Sequence, residues 1–150
     1  MQVYRGCAFP DDLFFDVDQD VWVRFEDNGT VTCGMTDPAQ ARCGKLVAVS
    51  FRAIGKQVTR GRPLATVESG KWVGPFPAPL SGTIIATNEA AFARDILIMN
   101  RDPYDQGWLV RLRPTALAAE RSGLLDAQQA FVVYRDKIDR LGINCLRCAD

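Results

Sequence analysis

Residues 61–83 read GRPLATVESGKWVGPFPAPLSGT. A strand-like run, Pro63 to Val67, meets the small polar cluster Glu68-Ser69-Gly70, and the chain resumes at Trp72-Val73 before filling with proline. Two apolar runs broken by serine and glycine read as strands joined by a tight reversal. Glu68, Ser69 and Gly70 are predicted to build that turn, with Gly70 permitting it and Lys71 leaving its end. Small neighbours keep the ε-amine accessible to another protein. Two further glycines bracket the hairpin, Gly55 in AIGKQV and Gly82 in PLSGTI, each read as a bend between strands. Two related halves with a lysine hairpin between them are not what a chance surface lysine has.

The chain of 150 residues is long enough for one domain with a proper core and too short for two. Eighteen basic residues balance eighteen acidic ones, which leaves no electrostatic footprint for nucleic acid and no polybasic patch for a membrane. No apolar run approaches the roughly 20 residues that span a bilayer. The start, MQVYRGCAFPDDLFFDVDQD, turns acidic without the apolar centre of a signal peptide. A cytoplasmic setting is expected, with neither membrane nor nucleic acid as partner.

Histidine is absent. That removes the commonest general base and the commonest metal ligand, so histidine-dependent hydrolases are excluded and no metal site is predicted. Chemistry must rest on lysine, cysteine, carboxylates or something attached to the protein. The five cysteines are Cys7, Cys33, Cys43, Cys145 and Cys148. An odd count in a cytoplasmic chain argues against a disulfide framework. Cys33 and Cys43 read as small buried hydrophobes. Cys145 and Cys148 form a C-x-x-C after the last helix, read first as a mobile tail and alternatively as a redox or sulfur relay.

The remaining pattern is short strands with turn punctuation. DVWVRFEDNGTVTCGMT alternates around Asp27-Asn28-Gly29, a strong hairpin signal. TDPAQARCG reads as a helical turn with Asp37 as cap, Pro38 in the first position and Gly44 at the end. KLVAVSF reads as a buried strand, SGTIIATN as another, and Asn88 caps a helix in NEAAFARDILIMN. The prediction is a mainly β fold, a β-sandwich or flattened half-barrel over residues 1–114 with short helical inserts. Residues 115–150 form a helical extension on the same domain, with Thr115 as one cap. Its long helix carries Ala127, Phe131, Tyr134, Ile138 and Leu141 on one face, with Gly142 placed to end it.

From Val21 to Pro114 the sequence resembles the biotinyl/lipoyl carriers, and more closely the lipoyl-carrier H protein of the glycine cleavage system. VWVRFEDNGTVTCGMTDPAQ, LVAVSF, GKQVTRGRPLATVESGK, APLSGTIIATNEA and NRDPYDQGWLVRLRP carry the likeness in order. The resemblance implies lipoic acid in amide linkage to Lys71, flanked by Ser69, Gly70 and Trp72, with Glu68 helping a lipoate-attaching enzyme choose its lysine. It implies a non-catalytic carrier whose swinging arm is re-oxidised by a dihydrolipoamide dehydrogenase. Biotin carriers place methionine on both sides of the modified lysine, where this chain has Gly70 and Trp72.

Departures from the H protein cluster near the arm. Asp20-Val21-Trp22 stands where that family has His-Glu-Trp, and Gly70-Lys71-Trp72 where it has Val-Lys-Ala. ESGKWVGP is more similar to the H-protein-like lipoate-binding proteins of sulfur oxidation. That branch implies sulfur intermediates as cargo and a heterodisulfide-reductase-like complex as partner. The H-protein branch implies an aminomethyl cargo and the glycine cleavage enzymes. An unmodified interaction domain of the same fold is the third reading.

Overall fold

The computed structural model describes residues 1–145. Three short strands open the chain: β1 (Gln2–Tyr4), β2 (Cys7–Phe9) and β3 (Phe14–Asp16). β4 (Val21–Phe25) and β5 (Val31–Met35) form the first long hairpin, followed by α1 (Asp37–Cys43) and β6 (Leu46–Phe51). Next come β7 (Gln57–Val58), β8 (Pro63–Ser69), β9 (Val73–Pro77) and β10 (Gly82–Thr87). The helices α2 (Glu89–Arg94) and α3 (Ile98–Arg101) precede β11 (Val110–Pro114). Last are α4 (Leu117–Glu120), β12 (Leu125–Asp126) and α5 (Ala127–Leu141).

A seven-stranded sheet runs in the order β12-β3-β4-β5-β11-β10-β7, and a three-stranded sheet in the order β6-β8-β9. Every pairing is antiparallel, which suits sheets that alternate side chains between two faces. Val21, Val23, Leu64, Val67, Ile84 and Leu112 meet in the main core. The predicted β-sandwich is therefore present. The halves around Gly55 and Gly82 pair with each other: Gly55 N–H donates to Ile84 O at 2.7 Å, and Gly82 faces Val58 in the ladder. Gly82 lies in strand rather than at a bend, pressed against the Arg113 carbonyl.

A second core lies on the far face of the larger sheet. Phe9, Phe15 and Trp22 pack there against Tyr134 and Ile138 of α5. Asp126 and Gln129 form a capping box at the start of α5, and Gly142 ends it in the left-handed conformation. Ala127, Tyr134 and Ile138 are buried as predicted, with Ala130 joining them, whereas Leu141 is exposed at the last turn. Among the described residues no helix is long and apolar enough to cross a membrane.

Several local expectations are corrected. KLVAVSF is an edge strand, not a buried one: a register shift between Leu46 and Ala48 leaves Val47 outward and 56% exposed. Thr36, not Asp37, caps α1 through its side chain, while the Asp37 carboxylate accepts from Ala8 N at 2.9 Å. Asn88 occupies the cap position of α2 but gives its amide to the Gln106 and Trp108 carbonyls. Ala116, not Thr115, precedes α4.

The largest correction concerns the cysteines. Cys7 and Cys145 are joined in a disulfide across 138 residues. The spacing could not reveal it, because the chain returns beside β2 only through the packing of α5 in the second core, where Cys145 N–H donates to Arg5 O at 3.1 Å. Cys145 is therefore not half of a C-x-x-C relay, and Cys148 lies outside the described residues. A disulfide typically contributes about 2–4 kcal/mol, and the chain-entropy limit for a loop this long is about 5 kcal/mol. Denaturant unfolding of Cys7→Ser, or of the native chain with a strong reductant, is expected to show that loss. An unchanged midpoint would remove the bond's structural role.

Candidate functional site

The β8–β9 hairpin closes through Ser69 N–H donating to Trp72 O at 2.8 Å, which leaves Gly70 and Lys71 as the two tip residues. The predicted turn was shifted, since Glu68 and Ser69 still belong to β8. Neither Gly70 nor Lys71 adopts a positive φ, so glycine is not needed for the reversal. The buried Ser69 hydroxyl organises it instead, accepting from Lys71 N–H at 3.2 Å. A Cβ on Gly70 would meet nothing within 4 Å, so the tip is open on that side.

Lys71 has no ion-pair partner among the described residues. Its aliphatic stem lies over Gly44, where a Cβ would sit 3.0 Å from Lys71 Cε. Gly44 ends α1 at φ 84°, a left-handed conformation that disfavours a side chain. Asn100, which the sequence did not single out, fixes this corner: its amide donates to Gly44 O at 2.9 Å and accepts from Leu46 N–H at 3.1 Å. Glu68 is exposed on the opposite face of β8 from Ser69, three residues before the lysine.

Beside the tip is a cleft of about 330 Å³, walled by Trp72, Phe76 and Met35, with Cys43 at its base and Arg42 and Asp20 among its polar lining. Trp72 is 40% exposed and folds back over Gly74, where a Cβ would come within 2.2 Å of the indole. It both covers its own hairpin and forms one wall. Asp20 adopts φ 59° at the start of β4, and its Oδ1 accepts from Lys137 Nζ at 2.7 Å and Tyr134 OH at 2.9 Å. Burial pushes the Tyr134 hydroxyl well above its ordinary value, and the Asp20 charge adds to that.

Burial also raises the Cys43 thiol above its ordinary value, although the Ser69 hydroxyl and the Lys71 charge pull the other way. Cys33 is raised by complete burial within β5. The sequence reading of both as buried hydrophobes describes Cys33 fully. For Cys43 it missed the lysine, because strand β8 and helix α1 meet only in the folded chain.

The residues fit a lipoyl group: an accessible amine at a tip, with an apolar-walled cleft for an aliphatic arm in reach of it. A mainly β sandwich presenting one such lysine is laid out as a carrier of a covalently held group. A family described as glycine cleavage H-protein matches residues 13–137. The chain is 40% identical over 145 residues to "Glycine cleavage system H protein 2" of Aquifex aeolicus, covering 97% of this chain and 89% of that one. It is 38% identical to "Probable glycine cleavage system H protein 2" of Sulfolobus acidocaldarius, covering 98% and 99%. The crystal structure of a glycine cleavage system H protein from Mycobacterium marinum superposes with a TM-score of 0.72 at 31% identity, covering 84% of this chain and 98% of that one. The chain belongs to the glycine cleavage H-protein family, whose members are carriers, not catalysts, and hold lipoate covalently on a lysine.

With its raised pKa, Cys43 is a protonated thiol at neutral pH and becomes a thiolate only above the ordinary thiol range. Alkylation of Cys43 by iodoacetamide, followed by peptide mapping, is expected to be slow at neutral pH and to accelerate as pH rises. Acylating Lys71 removes a cation that lowers this pKa, so it is expected to slow alkylation further. Equal rates in both forms would show that the lysine charge does not reach the thiol.

Proposed function

We propose that Lys71 bears the lipoyl group and that this chain is a non-catalytic carrier moving cargo between enzymes. The carrying observation is Lys71 itself: exposed, without a counter-ion among the described residues, and laid across Gly44 at the edge of an apolar-walled cleft. When attached, lipoate supplies a disulfide that accepts a group or an electron pair and a dithiol that hands it on. The chain's own residues do the rest. Ser69 holds the tip, which is open beside Gly70, and Trp72 and Phe76 give the arm an apolar surface that excludes water. Glu68, exposed and upstream, is the mark a lipoate-attaching enzyme reads. Tethering raises the effective concentration of the cargo at each partner without further contacts.

Two cargoes follow from this reading. The names of the relatives favour the aminomethyl group, with the glycine cleavage enzymes and a dihydrolipoamide dehydrogenase as partners. Sulfur intermediates passed to a heterodisulfide-reductase-like complex are the second reading, supported by the thiol of Cys43 beside the base of the arm. Relatives named as H proteins 2 and 3 of one Aquifex aeolicus strain also support specialisation among such carriers.

Intact mass and mapping of the Lys71 peptide from native material test the reading. A lipoyl adduct at Lys71 is expected, and Lys71→Arg is expected to abolish both the adduct and all transfer while leaving the fold intact, since a guanidinium keeps the charge but cannot be acylated. Function retained in Lys71→Arg would instead identify an unmodified interaction domain. Turnover with heterologous glycine cleavage enzymes separates the two cargoes.

A further inference from the structure

The polar lining of the cleft carries an uneven charge. Asp20 is its one acid, and the carboxylate is already held by Lys137 at 2.7 Å and by the Tyr134 hydroxyl. Gln19 is committed as well, donating to Asp16 Oδ2 at 2.6 Å, and Asp16 is paired with Arg60 at 2.8 Å. Arg42 is different. It lines the cleft from the last turn of α1 and has no ion-pair partner among the described residues. Lys71 stands at the tip beside the cleft and not in its lining, and acylation removes its charge, so in the carrier form Arg42 is the uncompensated charge facing the space beside the arm.

We propose that this cleft receives an anionic group carried on an arm thiol, with Arg42 as its counter-charge. The inference rests on lipoylation of Lys71 and deepens the second of the two cargo readings, the sulfur one, against the aminomethyl group that the relatives' names favour. Apolar walls suit the arm, and a guanidinium among them suits an oxyanion, which accepts its N–H groups in a fork-like geometry. A cationic end group would meet Arg42 directly and find Asp20 neutralised. A competing structural role for Arg42 exists, because a cation in the last turn of a helix is favoured by the helix dipole. That role changes stability and leaves adduct chemistry alone, which makes the two distinguishable.

Sulfite is a suitable probe, since it forms an anionic adduct without any added oxidant. Its sulfur lone pair attacks one sulfur of the dithiolane and the ring S–S bond breaks. One ring sulfur becomes an S-sulfonate, and the other leaves as a thiolate that takes a proton from water. The sulfite sulfur is oxidised and the ring disulfide is reduced, so the electrons balance.

The experiment starts from full-length protein whose Lys71 adduct has been verified by mass. Sulfite is titrated while the near-ultraviolet absorbance of the dithiolane is followed, and mapping confirms that the product lies on the Lys71 peptide. Arg42→Met is expected to weaken the adduct by roughly fivefold at low ionic strength, the upper range for a partly solvated ion pair. Arg42→Lys is expected to fall between the two, and the gap to close as salt is raised. The parallel equilibrium with 2-mercaptoethanol, a neutral nucleophile, is expected to be the same in all three proteins. Equal sulfite affinity in native and Arg42→Met proteins would overturn the proposal. An equal loss with the neutral thiol would also overturn it, by showing that packing and not charge is at work. Failure of Lys71 to carry lipoate is a separate outcome, which removes the carrier reading and this inference together.

Discussion

Strand β4 is buried on both faces, and the rest of the molecule is arranged around that constraint. Alternation sends Val21 and Val23 into the space between the sheets and Trp22 to the opposite side. An indole facing away from the main core needs its own cover, which α5 and the first two strands supply. Its Nε1 needs an acceptor, and the Pro103 carbonyl at 2.9 Å provides one. Gly34, opposite Trp22 in the ladder, has no room for a Cβ, which would lie 2.8 Å from the ring. Tyr104, next to Pro103, donates its hydroxyl to Ala8 O at 2.6 Å and accepts from Asp37 N–H at 2.8 Å. A single buried tryptophan is thus linked through a short loop to the start of α1.

From there the dependence runs to the arm. Helix α1 has two turns, starting at Thr36 and ending at Gly44, so fixing its start also fixes Arg42, Cys43 and Gly44 beneath the β8–β9 tip. Lys71 stands at the end of the β8–β9 ladder, and its surroundings are set by the hydrogen-bonded junction of α1, Asn100 and β6. The tip is accessible while the floor beneath it is tied by hydrogen bonds. That division suits a protein that must be handled by an attaching enzyme and still present its cargo reproducibly.

Sequence reading recovered what is encoded locally. The Asn28-Gly29 turn, the strands flanking Lys71 and the Gly142 stop each depend on a few adjacent residues with restricted backbone preferences. It failed where geometry is set by distant segments. The cleft draws Asp20 from the start of β4, Arg42 and Cys43 from α1, and Trp72 and Phe76 from the hairpin, and no periodicity joins them. Val47 misled for a different reason: a short apolar run reads the same at a sheet edge as in its middle, and a bulge decided which way it pointed. Cys7 and Cys145 carry no mark of each other, because the oddness of the cysteine count speaks to the set and not to any pair.

The bond between those two cysteines also has a mechanical meaning. Residues 7–145 form a closed covalent ring, and the seven-stranded and three-stranded sheets, the cleft and the lysine hairpin lie inside it. Tension applied to chain outside the two cysteines can open the short β1–β2 pairing but then passes through the sulfur bridge and does not reach the two larger sheets. A machine that unfolds proteins by threading one end through a narrow pore would meet a loop that must enter as two strands side by side. In the oxidised state, then, the two larger sheets belong to a ring without an end to pull.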